Sequence, residues 1–544
     1  MRTEKRNPVR NPTLAACAAL AAALALPAPA QHAENHVGDD AEMAEQATAE
    51  GEMAEGETAE GETAEGELAA AKIDTVTLPS PGSPLVAIRL QFAAGSIYDP
   101  QGKEGLAALT GRMVADAATA ERSYAELVDA LYPMAAGIDV SSDREVTVVS
   151  GLVHRDTLDE YTDLLLEAVL SPGFKDADLA RHKGELEAYL TSTLRSANDE
   201  LLGLEAIQQQ IFAGHPYAHA PAGTVRGLAA VGLDDVESFY AQRFTRGSLL
   251  VGVAGGYPEG YVDKLTAKLA ALPAGDGKLA ELPKPKPVEG RNFTLVEKGT
   301  ASVGIHFGYP LPVNRADDDY YPLMVANSYL GEHRTFHGRL MQQLRGLRGL
   351  NYGDYSYVEH WWLPPFTSNP SPGVARRHQY FSVWIRPVQP ETAHFALRDA
   401  LFEVDRLRRR GLTAAEFELT RDFVVNYSKL WAQTLSDRLG FHMDSRFYRM
   451  PYYIDEIETR LAGLTVEEVN EAVKKYLDTK SYEAVFVTAD AAKAKAYLEA
   501  DRPSPMTYNS AVGAEVTEAD KTIEKIAVEP TKIEIVPVAE MFER

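Results

Sequence analysis

Histidine pairs are the side chains in this 544-residue sequence whose spacing could place two metal ligands on one helix face. Residues four apart on a helix lie on the same side, so two imidazoles can reach one zinc ion. Three pairs have this spacing: His32 and His36, His215 and His219, and His333 and His337. No pair has a glutamate just before its second histidine, and Pro216 interrupts the middle pair. We therefore predict no catalytic metal in this chain, and a structural role at a helix start is the simpler interpretation of the third pair.

Nucleophilic catalysis lacks a recognisable signature in this sequence. The single cysteine, Cys17, lies in a segment with the features of a removed signal peptide, which excludes cysteine catalysis in the mature protein. The sequence contains no Gly-x-Ser-x-Gly elbow. An independent hydrolase of unrelated chemistry stays an alternative, but no motif supports it.

Residues 1–30 have the order of a secretory signal peptide. Basic residues precede an apolar run at residues 14–26, and Ala-Pro-Ala at residues 28–30 supplies a cleavage site. We predict a periplasmic protein, with a lipoprotein attached through Cys17 as the alternative. No later apolar run approaches the roughly 20 residues that a bilayer span needs, so we predict no membrane span.

An acidic low-complexity segment follows at residues 31–72. It contains the consecutive units AEGEM, AEGET, AEGET and AEGEL, and residues 31–71 carry 13 acidic residues and no lysine or arginine. Such a segment buries too little apolar surface to fold, so we predict a disordered tether or solubilising tail. The formal net charge of −25 also argues against nucleic acid as a partner.

The first folded unit is predicted at residues 73–275. The stretch IDTVTLPSPGSPLVAIRLQFAAGSIYD alternates apolar and polar residues around a Pro/Gly turn and predicts two strands in a hairpin. Leu106, Leu109 and Met113 repeat at helical spacing, and amphipathic helices and the strand SLLVGVAGG follow. Residues 276–290, rich in Pro, Lys and Gly, are predicted to be a linker.

The same order of elements recurs in residues 291–500. It begins with strands at RNFTLVEKG and ASVGIHFGYPL, continues with long helices at 394–409 and 413–434, and ends with the strand YEAVFVTA. We predict an α+β fold of two similar units, each a mixed, mostly antiparallel sheet covered by helices, with a duplication behind them. In the tail at residues 501–544, KIEIVPVAEMF could add a strand to the body or to a partner.

Three stretches resemble the insulinase and pitrilysin family of zinc peptidases: AAGSIYDPQGKEGLAALTGRM, FAGHPYAHAPAGTVRGLAAVGLDDVESFYAQRF and YLGEHRTFHGRLMQQLRGLRGLNYGDYSY. The resemblance runs from about residue 73 to about residue 500. This length is similar to that of the branch in which two separate subunits pair, as in mitochondrial processing peptidase. It implies one half of a clamshell around a peptide substrate, with a homologous HxxEH-bearing subunit as the partner.

The zinc motif of that family is degenerate in this sequence. Active members carry HxxEH on the helix after the glycine-rich turn, and those positions correspond to Ala108, Gly111 and Arg112. Ala108 and Gly111 offer no ligand atom, and the permanent charge of Arg112 would repel a divalent cation. The family's third ligand corresponds to Glu185 or Glu187, and the sequence leaves the register open. The resemblance therefore implies no metal in this chain and zinc in its partner.

The stretch LRGLRGLNY matches the family's substrate motif, which the resemblance assigns to Arg345 and Tyr352. In the family these two side chains reach across the clamshell to the bound peptide. A guanidinium can donate hydrogen bonds to peptide carbonyls, and a phenol hydroxyl can stabilise an oxyanion. The alternative is structural, with Arg345 one of several solvated arginines beside Arg339 and Arg348, and Tyr352 an aromatic of the sheet.

These features favour a non-catalytic, substrate-binding subunit of a heterodimeric zinc metallopeptidase, inactive alone. A composite site would take zinc and the general base from the partner, and Arg345 and Tyr352 from this chain. The alternative is a catalytically inert structural or peptide-binding member, in which both residues could be replaced without effect. Trp361 and Trp362 in EHWWLPPF would line the chamber or the partner interface, or plug the loop internally.

Overall fold

Two β-sheets organise the residues that the computed structural model describes, namely 73–275, 277–361, 368–508 and 510–544. These residues belong to one compact unit. The predicted signal peptide at 1–30, the acidic segment at 31–72 and Trp362 lie outside the described residues.

The first sheet has five strands in the order β1-β5-β2-β4-β3. They are β1 (Asp74–Pro79), β2 (Leu85–Phe92), β3 (Asp139–Ser142), β4 (Thr147–His154) and β5 (Leu249–Gly255). β1 and β5 run parallel, and the other neighbours run antiparallel. The predicted hairpin of β1 and β2 is wrong, because β5 lies between them. Alternation of apolar residues marks a strand with one buried face but does not identify its partner.

The second sheet has six strands in the order β11-β6-β10-β7-β9-β8. They are β6 (Arg291–Glu297), β7 (Val303–Leu311), β8 (Asp354–Tyr357), β9 (Gln379–Val388), β10 (Tyr482–Thr488) and β11 (Lys532–Pro537). Apart from β11, each strand has the place and direction of its counterpart in the first sheet. The prediction of two similar, mixed α+β units is confirmed.

Each unit contributes eight α-helices to the described residues. Those of the first unit are α1 (Leu106–Ala115), α2 (Tyr124–Leu131), α3 (Leu158–Leu170), α4 (Asp176–Ala188), α5 (Asp199–Ile211), α6 (Val225–Ala230), α7 (Leu233–Arg243) and α8 (Tyr261–Leu269). Those of the second unit are α9 (Tyr320–Gly331), α10 (Ala393–Arg410), α11 (Ala414–Ser428), α12 (Leu435–Tyr448), α13 (Tyr453–Ala462), α14 (Val466–Tyr476), α15 (Ala491–Ala500) and α16 (Ala514–Ile523). Of the helices in the described ranges, none combines the length and apolar character that crossing a bilayer requires.

The long helix predicted at residues 413–434 is two helices. α11 begins at a capping box, in which Thr413 accepts a hydrogen bond from the backbone of Glu416. α12 begins where the Thr434 side chain accepts a hydrogen bond from the Asp437 N–H, 3.0 Å away. The second cap marks a new helix start and explains why the predicted helix divides.

Each sheet is covered in part by a helix from the other unit. α5 belongs to the first unit by sequence but packs against β7, β9 and β10, whereas α12 packs against β1, β2 and β5. Leu439 and Met443 of α12 form an apolar cluster with residues of β2 and β5. The residues 277–290, which connect the units, contain no helix or strand. The two units are therefore interlocked as well as linked.

The C-terminal tail joins both units. β11 adds a parallel strand to β6 at the edge of the second sheet. The chain then reaches the first unit, where Met541 and Phe542 are buried in its core. The Arg195 guanidinium donates a 2.7 Å hydrogen bond from Nε to the Met541 carbonyl and pairs with Glu543 at 2.9 Å. Of the two alternatives for KIEIVPVAEMF, the structure shows the strand on the body.

Candidate functional site

Helix α1 carries the three positions of the degenerate zinc motif. At its start, the Asp99 carboxylate accepts hydrogen bonds of 2.7 Å from the N–H groups of Gly105 and Ala107. Gly105 has a φ of 106°, and a Cβ there would lie 2.7 Å from a Leu228 methyl group. The glycine-rich turn therefore fixes where the helix begins, since another residue would meet both strain and a close contact.

Ala108 and Gly111 face packed surroundings. Ala108 is buried in the core of the first unit. A Cβ at Gly111 would lie 2.9 Å from Ser142 Oγ and 3.2 Å from Val140 Cγ2. The first position offers no metal ligand, and the second leaves no ready space for a larger side chain.

Arg112 directs its guanidinium at a carboxylate. Its Nη1 lies 3.0 Å from Glu185 Oε2, so Glu185 is the one of the two candidate glutamates that contacts α1. The same carboxylate lies 3.3 Å from Arg181 Nη1 and 3.1 Å from His182 Nδ1. Burial acts to raise the pKa of Glu185, but the hydrogen bonds and charges of His182 and Arg181 lower it overall. The guanidiniums of Arg112 and Arg181 therefore neutralise the Glu185 carboxylate.

One group of three possible metal ligands occurs in the described part of the chain, and it lies at this position. Asp116, His182 and Glu185 offer donor atoms within 4.8 Å of one another. These atoms already have partners: His182 Nε2 lies 2.8 Å from the Asp116 carbonyl oxygen, and Arg181 lies 3.4 Å from the Asp116 carboxylate. A divalent cation here would be repelled by the guanidiniums of Arg112 and Arg181. The residues present do not fit the zinc site of active peptidases.

Arg345 and Tyr352 lie side by side on the second unit. A π-helical segment, Met341–Leu347, carries Arg345, and Gly349, with a φ of 63°, turns the chain toward β8. Arg345 Cζ lies 4.8 Å from the centroid of the Tyr352 ring, in a cation–π contact. Tyr352 is 69% exposed. The structure therefore brings together the two residues of the predicted substrate motif and leaves the tyrosine accessible.

The neighbouring arginines are held differently from Arg345. Arg348 is buried between Asp399 at 3.2 Å and Asp520 at 2.9 Å, and Arg339 pairs with Glu403 at 3.2 Å. Arg345 forms no ion pair with any carboxylate in the described ranges, and its side chain donates only a 3.8 Å contact to the Met341 sulfur. Arg345 therefore differs from Arg339 and Arg348 in having no carboxylate partner among the described residues.

Three side chains beside this pair, Phe336, Trp384 and Arg386, were not predicted as functional residues from the sequence. Phe336 lies 5.2 Å below the Arg345 guanidinium, and Arg386 lies 5.2 Å from the Tyr352 ring and 5.7 Å from the Trp384 ring. Five side chains therefore alternate between ring and cation, and we call them the cation–aromatic ladder: Phe336, Arg345, Tyr352, Arg386 and Trp384. Trp384 and Arg386 are two apart on β9 and so share a face, which is the one signal the sequence held.

The remaining sequence candidates have structural partners. His215 Nε2 lies 2.9 Å from the Pro283 carbonyl oxygen, and His333 Nδ1 lies 2.8 Å from the Tyr357 hydroxyl. Trp361 packs against Tyr357, with ring centroids 5.8 Å apart. The pair at residues 32 and 36 lies outside the described residues. Neither histidine pair that the structure describes forms a metal-binding group with other side chains.

Two family models match this chain. The model described as Insulinase (Peptidase family M16) matches residues 75–224, and the model described as Peptidase M16 inactive domain matches residues 230–424. Together these matches run from β1 into α11, and β10 and β11 of the second sheet lie beyond them.

A curated relative and solved structures are also similar to this chain. The chain is 23% identical over 397 residues to "Non-peptidase homolog YmxG" of Helicobacter pylori, covering 73% of this chain and 87% of that protein. It has the fold of a peptidase M16 inactive domain from Pseudomonas fluorescens, with a TM-score of 0.68, 21% identity, and coverage of 77% of this chain and 96% of that one. A chain of Complex III2 from Candida albicans is similar at a TM-score of 0.61 and 16% identity, with 76% and 94% covered.

Proposed function

Because this chain belongs to the insulinase family of peptidases and carries no HxxEH motif, we propose that it is the non-catalytic, substrate-binding subunit of a heterodimeric zinc metallopeptidase. Its substrates are peptides or unfolded segments. A homologous subunit with an intact HxxEH motif contributes the zinc ion and the general base, and this chain has no peptidase activity alone. After removal of its signal peptide, the protein acts in the periplasm.

One observation carries this proposal: Arg345 has no carboxylate partner among the described residues and is stacked on an exposed tyrosine, whereas Arg339 and Arg348 are neutralised by carboxylates. Among the described residues the Arg345 guanidinium contacts two aromatic rings and a methionine sulfur but no carboxylate, so its N–H groups stay available to an acceptor on a ligand. A peptide ligand supplies the missing acceptors.

The two side chains have distinct roles in the composite site. Arg345 donates N–H groups to carbonyl oxygens of the extended peptide and holds it in register. Tyr352 directs its hydroxyl toward the carbonyl oxygen of the scissile bond and donates to the developing oxyanion. Loss of one such donor typically lowers turnover by about 100-fold.

The structural alternative also has a specific observation in its favour. The fold is shared with a chain of Complex III2, and 16% identity supports similarity of fold alone. Under this alternative the chain supports an assembly or binds peptides without turnover, and Arg345 and Tyr352 tolerate replacement.

Reconstitution separates the two proposals. Purification of the tagged chain from its native host, followed by zinc analysis, is expected to recover an HxxEH-bearing partner and metal only in the pair. In that pair, Arg345→Ala and Tyr352→Phe lower turnover by about 100-fold with assembly intact.

Arg409→Ala and Tyr132→Phe are matched controls, since Arg409 pairs with Asp405 on α10 and Tyr132 is exposed elsewhere. Unchanged turnover in the two site variants, or chelator-sensitive activity of this chain alone, would contradict the proposal.

A further inference from the structure

The cation–aromatic ladder presents one guanidinium in a fixed orientation. Arg345 lies between two exposed rings, with Phe336 at 5.2 Å and Tyr352 at 4.8 Å from its Cζ. Phe336 is 68% exposed and Tyr352 is 69% exposed. Stacking on aromatic faces fixes the plane of a guanidinium while its N–H groups stay at the edge, where they can donate to a planar acceptor.

No carboxylate in the described part of the chain forms an ion pair with Arg345, in contrast to the other cation in the ladder. Arg386 is paired with Glu200, at 2.6 Å and 3.2 Å. Asp354 lies nearby but is buried and bonded to Asn351 at 2.6 Å. Its carboxyl group forms no ion pair with Arg345, and burial raises its pKa well above the ordinary value, against smaller opposite effects of Arg386 and Arg345.

Arg334 adds a second cation beside the ladder. It is exposed in the same loop as Phe336, and it forms no ion pair with a carboxylate of the described residues. The positive character of this surface contrasts with the formal net charge of −25 for the chain. The surface is therefore complementary to an anion, and its exposed rings are complementary to an apolar group.

We propose that the cation–aromatic ladder is a specificity site that selects peptides carrying a carboxylate next to an apolar side chain. The carboxylate accepts two of the five N–H groups of Arg345, whose other N–H groups stay available to the peptide carbonyl oxygens. The apolar neighbour covers the Phe336 ring. Arg386 positions Tyr352 from behind and does not contact the substrate. This inference rests on the proposed function, because it assumes that the peptide lies against Arg345 and Tyr352.

The carboxylate could come from an acidic side chain or from a peptide C-terminus, and three probes distinguish these sources. All are fluorescein-labelled peptides of glycine, serine and threonine with a single leucine. The first has aspartate after the leucine and an amidated C-terminus. The second replaces this aspartate with asparagine, and the third ends with a free carboxylate directly after the leucine. Binding to the full chain is measured by fluorescence anisotropy at low salt.

We expect the first or the third probe to bind about 10-fold more tightly than the second, because a bidentate, charge-assisted hydrogen bond is lost with the carboxylate. Arg345→Gln removes this preference. Phe336→Ala lowers the affinity for all three probes several-fold and leaves the ratios of their affinities unchanged. Arg409→Gln, at an arginine with its own carboxylate on α10, changes neither the affinities nor their ratio. Equal binding of the three probes, or no binding of any, would overturn the inference.

The outcomes also separate this inference from the proposed function. If Arg345→Ala lowers turnover in the reconstituted pair while the three probes bind equally, the specificity site is wrong and the proposed function stands. If the carboxylate preference is present but turnover of the pair does not depend on Arg345 or Tyr352, the ladder binds peptides and the proposed catalytic role is wrong.

Discussion

Gly111, one position of the degenerate zinc motif, lacks a carboxylate and is also closely packed against β3. Glycine allows α1 to approach β3 closely, and a Cβ would lie 2.9 Å from Ser142 Oγ. That hydroxyl is held at 2.9 Å by Thr147, so it cannot turn away without loss of a hydrogen bond. The family's catalytic glutamate therefore has no place in this chain unless β3 moves.

Gly111→Glu is expected to lower the free energy of unfolding by about 1–3 kcal/mol, because it overpacks this contact. Gly184→Glu is the matched control, since Gly184 also lies within a helix and a Cβ there meets nothing within 4 Å. Urea unfolding of the two variants tests the difference. If both have the same stability, the α1–β3 contact does not exclude the glutamate.

Glu332 carries a buried carboxyl group at the end of α9, and loss of its proton destabilises the folded state. Burial raises its pKa to about 7, while a 2.5 Å hydrogen bond from Ser328 acts in the other direction. A folded-state pKa above the ordinary value stabilises the fold at low pH, and this contribution is lost as the pH rises through about 7. Glu332→Gln keeps a hydrogen-bond acceptor and removes the charge.

We therefore expect Glu332→Gln to be more stable than the natural protein at pH 8, by about 3 kcal/mol, and to match it at pH 4. Thermal unfolding from pH 4 to pH 8 measures the effect. Glu416→Gln provides a contrast, because interactions with Thr413, Tyr329 and Arg410 outweigh its desolvation and lower its pKa to about 2. This control should lose stability at pH 8, and a parallel response of both variants would contradict the prediction.

At the scale of elements, the sequence predicted most strands and helices but not their partners. Period-2 alternation identified β1 and β2, yet β5, about 160 residues later, separates them. Amphipathic α5 and α12 show one apolar face each, which says that they pack but not on which sheet. Similarly, the motif positions identified Ala108, Gly111 and Arg112, whereas the contact of Arg112 with Glu185 and the ladder around Arg345 depend on tertiary placement.

The tail is the element whose role the sequence left open. It connects the edge of the second sheet to the core of the first unit, where Phe542 is 3% exposed. The N–H groups of Val225 and Arg226, at the start of α6, donate to the carbonyl oxygens of Phe542 and Glu543 at 3.0 Å and 3.1 Å. The chain end therefore caps a helix of the first unit as well as filling its core.

Phe542→Ala is expected to lower the free energy of unfolding by about 3 kcal/mol, since it removes a buried aromatic ring. Tyr132→Ala, at a ring that is 82% exposed, should change it by about 0.5 kcal/mol or less. Hydrogen exchange at α6 provides a second measurement, because the tail protects its first N–H groups. Unchanged stability and exchange in Phe542→Ala would show that the tail is not part of the folded core.

At the scale of the molecule, buried ion pairs join the two units. Asp143, before β4, accepts two hydrogen bonds of 2.7 Å from Arg376, before β9. The next residue, Arg377, forms an ion pair with Glu145, with Nε and Oε2 2.6 Å apart. Burial acts to raise the pKa of Asp143, but the charge and hydrogen bonds of Arg376 hold it well below its ordinary value. Asp143 therefore stabilises the fold above its ordinary pKa, and this stabilisation is lost as the pH falls.

A double-mutant cycle tests whether this contact holds the units together. Asp143→Ala is expected to lower the free energy of unfolding by about 3–5 kcal/mol, because it leaves the buried Arg376 without a counter-charge. Asp143→Ala combined with Arg376→Met should cost less than the single change, since no uncompensated charge remains. Asp318→Ala is the control: Asp318 pairs with Arg460 at 2.5 Å but its side chain is 84% exposed, so the loss should be about 1 kcal/mol or less. Arg376→Met completes the cycle, and a coupling energy near zero between the two replacements would show that Asp143 and Arg376 do not stabilise the fold as a pair.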